Sequence, residues 1–130
     1  MRFILFSTLA ILLLLSGCEK TNHPSGGYQA AKAAIGKGRP VMLEVGADYC
    51  TACQDMKAVI ALLKSEQPDL PIHIVNVTKA RDAAEALGVR MIPTQIFYDA
   101  SGKEVYRHVG GYGQAEFRAV LKQYAILKEK

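Results

Sequence analysis

The chain has 130 residues, half of them hydrophobic, with 16 Lys and Arg against 12 Asp and Glu, three Cys and no Trp. That length is one domain with a sizeable core. The net charge of +4 is scattered, with no basic block of five or more, so there is no nucleic-acid footprint.

Met1-Arg2 is a minimal basic leader, and Phe3 to Leu15 is an apolar run of 13 residues. A membrane-spanning helix needs about 20, so residues 1–17 read as a signal peptide. Leu15-Ser16-Gly17-Cys18 resembles the lipobox of bacterial lipoproteins. The resemblance implies cleavage before Cys18, diacylation of its sulfur and acylation of the new amino terminus. The alternative is an ordinary secretory signal with a stray cysteine near its end. Two or three acyl chains anchor a protein stably where one chain binds only marginally. Cleavage would leave 113 residues, with 15 basic against 12 acidic, a surface suited to anionic lipid. Residues 18–27 are polar, contain Pro24, Gly26 and Gly27, and read as a tether to a domain over 28–130.

Within the domain, Tyr28, Ala31 and Ile35 space out one face of a first helix, stopped by Gly36 and Gly38. Val41 to Ala47 reads as a buried strand. Met56, Val59, Ile60 and Leu63 follow at i, i+3, i+4 and i+7, the stripe of a long helix from Cys50 to about Gln67. Pro68 to Pro71 breaks the chain, and Pro71 to Val77 is β-branched and apolar enough for a buried parallel strand. Lys79 to Leu87 predicts a short helix closed by Gly88. Gln95–Tyr98 and Glu104–Val109 predict strands joined by the turn Asp99-Ala100-Ser101-Gly102, with a bend or bulge at Gly110-Gly111. Phe117, Val120, Leu121 and Tyr124 stripe a last helix. The expected fold is α/β, a central mixed sheet with a parallel half and an antiparallel C-terminal hairpin, flanked by helices.

Cys50-Thr51-Ala52-Cys53 therefore opens a helix directly after a strand. Unpaired amides and the positive end of the helix dipole stabilise a thiolate there. A second thiol three residues on can release the first from a mixed disulfide, the apparatus of dithiol–disulfide exchange. Lipidation of Cys18 would account for the odd third cysteine, and export would place the pair where disulfides persist.

From about Tyr28 to Lys128 the chain resembles the thioredoxin family. Gly88-Val89-Arg90-Met91-Ile92-Pro93-Thr94 resembles the segment that carries the family's cis-proline, facing the cysteine pair across the site. A cis X–Pro bond is uncommon enough to be a specific feature. Glu44, six residues before Cys50, stands where the family has a buried carboxylic acid. Burial would raise its pKa and let it exchange a proton near neutral pH. Alternation turns its side chain away from those of Leu43 and Val45. Ala47-Asp48-Tyr49-Cys50-Thr51-Ala52-Cys53 is also similar to the C-terminal domain of DsbD-type transmembrane reductants, with Tyr for Trp. Three departures are Gly46 at a common tryptophan position, Ile74 in place of a lysine beside the acid, and Thr-Ala between the cysteines.

The resemblance implies an exported thiol:disulfide oxidoreductase acting as a reductant. Cys50 is then the nucleophile, Cys53 the resolving thiol and Glu44 the proton carrier, with Tyr49, Ile92 and Pro93 binding substrate. No dissociable cofactor is implied, since the dithiol carries the electrons. The implied partners are envelope proteins with disulfides, a membrane electron donor of DsbD type, and the membrane itself through Cys18. The protein is expected to be a periplasm-facing monomer. Glu19 is not the aspartate of an inner-membrane retention signal, which leans its anchor towards the outer membrane.

Other readings are a thiol relay in cytochrome c maturation, a general disulfide oxidant and a thioredoxin-fold copper chaperone. Gln54 after Cys53 excludes the haem-attachment motif, and a structural zinc would need two further ligands. His108 reads as a solvent-facing edge-strand residue, and Lys57 and Arg90 as surface solvation. Tyr49, Tyr98 and Tyr106 could form an aromatic patch facing substrate, although core packing explains the latter two as well. Met91 could line a peptide groove or pack in a loop.

Overall fold

The computed structural model describes residues 26–128. The expected signal peptide and Cys18 lie outside the described residues. The element order is α1 (Tyr28–Ala34), β1 (Val41–Gly46), α2 (Thr51–Glu66), β2 (Ile72–Asn76), α3 (Arg81–Ala86), β3 (Thr94–Tyr98), β4 (Glu104–Val109) and α4 (Gln114–Gln123). The strands form one sheet in the order β2-β1-β3-β4. β1 pairs parallel with β2 and antiparallel with β3, and β3 pairs antiparallel with β4. The expected α/β architecture is the one observed.

Alternation along the central strands sorts the core into two layers. Met42 and Phe97 pack with Met56, Ile60 and Leu63 of α2 and Phe117 and Leu121 of α4. Leu43, Val45 and Ile96 point the other way, onto Tyr28 and Ala31 of α1 and Ala83 of α3. Registers on the α2 side build two rungs across all four strands and a third above them that begins on β2 and β1. The lowest is Ile72–Met42–Phe97–Tyr106, wholly hydrophobic. The next is Ile74–Glu44–Gln95–His108. The top rung begins Asn76–Gly46. Carrying the β1–β3 register one step further sets Pro93 opposite Gly46, and Gly110 N–H donates to Pro93 O at 2.8 Å.

Several local readings change. Ile35 is not in α1: it adopts an extended conformation ahead of Gly36 at φ 71°, yet still packs on the α1-side core. Gly26 and Gly27, read as the end of the tether, lie against β2, where Gly26 O accepts from Asn76 N–H at 2.7 Å. α3 is shorter than expected because Lys79 and Ala80 amides are bound by Asn76 O in the preceding turn. β2 is an edge strand, so His73 and Ile74 are only half-buried. Gly110 supplies the expected bend, at φ 109°, but the register shift lies at the other end of the hairpin, between Phe97 and Tyr98. There the Asp99 carboxylate accepts from the N–H groups of Ser101 and Lys103 and closes the turn.

Candidate active site

The site is built where β1 runs into α2. β1 ends at Gly46, and Ala47–Tyr49 form a short loop in which Cys50 N–H donates to Ala47 O at 3.3 Å. Cys50 caps α2, its sulfur accepting the Cys53 N–H at 3.2 Å. That is one of the orphan donors of a helix start, held by the sulfur instead of a hydroxyl or carboxylate. Cys50 and Cys53 are joined in a disulfide, with Cα atoms 5.2 Å apart. Their environments differ sharply. Cys50 is half-exposed at the positive end of a 16-residue helix, whereas Cys53 is 1% exposed.

Gly46 explains how Cys53 can sit so deep. A Cβ placed on Gly46 would stand 3.0 Å from both Cβ and Sγ of Cys53, inside normal van der Waals separation. The first turn of α2 can approach β1 this closely only because residue 46 has no side chain. The absent side chain is thus part of the site, not a loss from it.

Two residues earlier on the same face, Glu44 is 1% exposed. Gln95 Nε2–H donates to Glu44 Oε1 at 3.2 Å. Burial pushes the carboxyl pKa up to about 8, against the opposing pull of the Gln95 hydrogen bond and the Lys57 ammonium. Glu44 is therefore a buried group able to change protonation state near neutral pH. Among its neighbours, sequence reasoning passed over Gln95, which is fully buried, and read Lys57 only as surface solvation.

Lys57 is not mere surface solvation. Its Nζ binds the Asp48 carboxylate at 2.9 Å, and Lys79 approaches the other Asp48 oxygen at 3.5 Å. Hydrogen bonds from Lys57 and Asn76 hold the exposed Asp48 carboxyl down at about 2. Asn76, also passed over, is buried and accepts from Thr78 N–H at 3.0 Å, so it fixes the loop after β2 beside Gly46. An Asn at the end of a predicted strand, followed by Thr, was the available signal for that turn.

The Ile92–Pro93 peptide is cis, and Pro93 is buried. Thr94 Oγ1–H donates to Met91 O at 2.6 Å and ties the loop from behind. Ile92 is half-buried, packed against the α1-side core. Tyr49 is 77% exposed and Met91 and Arg90 are exposed, outside the core. The three tyrosines do not form one patch, since Tyr98 packs on the α1 side and Tyr106 on the α2 side. His108 is not solvent-facing: its ring stacks on Tyr112 with centroids 3.9 Å apart.

A family model described as a thioredoxin-like domain matches residues 28–125. The chain belongs to the thioredoxin-like family. It is 33% identical over 103 residues to the thiol:disulfide interchange protein DsbD of Ralstonia nicotianae, covering 73% of this chain and 17% of that one. It is 27% identical over 126 residues to the thiol:disulfide interchange protein TxlA of Synechococcus elongatus, covering 89% of this chain and 61% of that one. The chain thus spans less than two thirds of either relative. Among solved structures, Malassezia sympodialis thioredoxin superposes with a TM-score of 0.64 at 20% identity, over 77% of this chain and 89% of that one. Oxidised thioredoxin O2 of Arabidopsis thaliana gives 0.61 at 24%, over 76% and 90%. These structures share the fold. The chain is a thioredoxin-like protein homologous to thiol:disulfide interchange proteins, with its Cys-x-x-Cys pair closed as a disulfide.

The raised Glu44 pKa has a consequence for stability. Between the unfolded value of 4.5 and the folded value of about 8, the folded protein holds a proton that the unfolded chain releases. Stability from this group is complete below about pH 4.5 and falls as pH rises to about 8. Glu44→Gln removes the ionisation and should flatten that decline, leaving the variant more stable than wild type at pH 8 and above. Urea unfolding of the oxidised protein from pH 4 to 9 measures it. Parallel pH profiles for the two proteins would contradict a raised Glu44 pKa.

Proposed function

We propose that this chain is an exported, membrane-anchored thiol:disulfide oxidoreductase that reduces disulfides of cell-envelope proteins. The observation that carries the chemistry is the asymmetry of the pair: an accessible Cys50 sulfur capping α2 and a buried Cys53 directly behind it. In the reduced protein, the Cys50 thiolate attacks a substrate disulfide, forms a mixed disulfide and releases one substrate thiolate. Cys53 gives its proton to the Glu44 carboxylate and attacks Cys50 Sγ. The second substrate thiolate leaves, and the Cys50–Cys53 disulfide remains. Two electrons pass to substrate, and a membrane donor of DsbD type returns them. The Ile92–Pro93 backbone and exposed Tyr49 would receive the substrate strand beside the disulfide, a short form of strand addition.

Homology to thiol:disulfide interchange proteins supports the exchange chemistry. Support for the reducing direction is the DsbD-like flank Ala47–Cys53 and Ile92 before the proline. Support for export is the basic leader Met1-Arg2 with the apolar run Phe3 to Leu15, and support for anchoring is Leu15-Ser16-Gly17-Cys18. No helix among the described residues is long and apolar enough to cross a membrane.

Cys53→Ser should accumulate mixed disulfides with envelope proteins through Cys50, because the resolving attack is missing. Cys50→Ser should accumulate few. Equal trapping by both on non-reducing gels would reverse or dissolve the assignment. The direction is read from the reduction potential of the pair. A value near that of thioredoxin, about −270 mV, fits a reductant, and one near about −120 mV identifies an oxidant instead. For the anchor, intact mass of the membrane fraction should carry acyl chains on a polypeptide beginning at Cys18, lost in Cys18→Ser. An unmodified wild-type mass rejects the lipoprotein reading.

A further inference from the structure

The second rung, Ile74–Glu44–Gln95–His108, is polar over three of its four strands although it lies inside the sheet's packed face. Among the described residues, the buried side-chain atoms lacking a hydrogen-bond partner are Glu44 Oε2, Gln95 Oε1 and His108 Nε2. All three belong to this one rung. Buried polar atoms are nearly always paired, by protein or by ordered water, because desolvation without a partner is costly. Three orphan atoms on adjacent register positions therefore point to a shared network.

The chemistry of the rung orders that network. The Gln95 amide has a donor end and an acceptor end. An ionised Glu44 can only accept, so it requires the NH2 end, and that end faces Glu44 Oε1 at 3.2 Å. A protonated Glu44 can instead donate to the amide oxygen. Which way the amide is turned thus favours one protonation state over the other. The Gln95 oxygen is left over without a partner, and the neighbour of Gln95 in register on β4 is His108. A neutral imidazole protonated at Nε2 is a donor.

We propose that Gln95 and His108 are positioning residues for Glu44: His108 Nε2–H holds Gln95 Oε1, directly or through one water, and keeps the amide NH2 group turned onto the Glu44 carboxylate. The His108 ring is suited to this because it is pinned. It stacks on Tyr112, whose backbone N–H donates to Met56 Sδ at 3.3 Å and whose hydroxyl lies 3.2 Å from that of Tyr106. The charged and titratable groups around the rung are Lys57 from α2, Tyr106 from β4, Tyr112 in the following loop, Glu116 from α4 and Tyr124 at the end of α4. β2 contributes the apolar Ile74. The inference rests on the reading that Glu44 serves Cys53, but its test does not use turnover.

The oxidised protein, labelled with 13C at glutamate carboxyls, reports the Glu44 titration directly by NMR. Gln95→Leu removes the donor and should move the midpoint to higher pH by about one unit, the size expected for a hydrogen bond to a charged group. Gln95→Met, nearer in shape, carries the same expectation if the leucine variant does not fold. His108→Phe keeps a ring on Tyr112 but removes the nitrogen, and should move the midpoint in the same direction by a smaller amount. A merely structural histidine would lower the melting temperature and leave the midpoint in place. An unmoved midpoint in folded His108→Phe, or in either Gln95 variant, overturns the proposal even if Glu44→Gln slows the resolving step. Conversely, a wild-type resolving rate in Glu44→Gln removes the base role of Glu44, while moved midpoints would still support the rung.

Discussion

A carboxyl group shut inside an apolar sheet face, directly below a disulfide, is the constraint around which this domain is arranged. Glu44 sits between a hydrophobic rung beneath it and the Gly46 rung that carries Cys53. Burying an ion alone is costly, and proteins avoid it by pairing the group or by letting it keep its proton. Both devices operate here. Gln95 supplies one hydrogen bond, and the pKa rises to about 8. The outcome is a residue whose charge is undecided near neutral pH, a condition that is costly to stability and useful for moving a proton.

The same few residues that create this pocket also set the geometry of the cysteines. Without a side chain at residue 46, α2 lies against β1, and Cys53 is buried as a result. With Cys53 buried, Cys50 is the sulfur of the pair that meets solvent, so access to the disulfide is set by packing. The loop between β1 and α2 is braced at Asp48 from three directions, by Lys57 on α2, Lys79 after β2 and the Asn76 side chain. Fold and site cannot be separated at this corner, because the close approach of Gly46 to α2 is also the contact that buries Cys53.

Most of this was legible in the sequence because it rests on local patterns. The α2 stripe, the apolar β1 run, the Asp99–Gly102 turn and the Cys50–Cys53 spacing each follow from periodicity or turn chemistry within a dozen residues. Alternation alone set Glu44 on the face opposite Leu43 and Val45, where the structure has it. What escaped detection depends on register between distant strands. Gln95 looks like an ordinary polar residue at the start of a strand until β3 is paired antiparallel to β1 with Glu44 opposite Gln95. His108 looked solvent-facing because β4 is an edge strand, but the loop after it returns Tyr112 over the ring. Lys57 read as surface because its partner, nine residues upstream, lies in the loop before α2 and beyond the reach of helical periodicity.

Ile74 in the place of a family lysine sharpens the point. The residue across from Glu44 on β2 is apolar, so the cation nearest the carboxyl comes from α2 instead. Lys57 does not serve Glu44 alone, because it is bound at 2.9 Å to Asp48. A cation already paired attracts a second carboxylate less strongly than a free one would, since the Asp48 charge opposes it at short range. Desolvation therefore outweighs the attraction at Glu44, and its pKa rises, whereas Asp48, exposed and bonded directly, is held near 2. Two acids close to one lysine are thus driven apart in proton affinity, one by burial and the other by direct hydrogen bonds from Lys57 and Asn76.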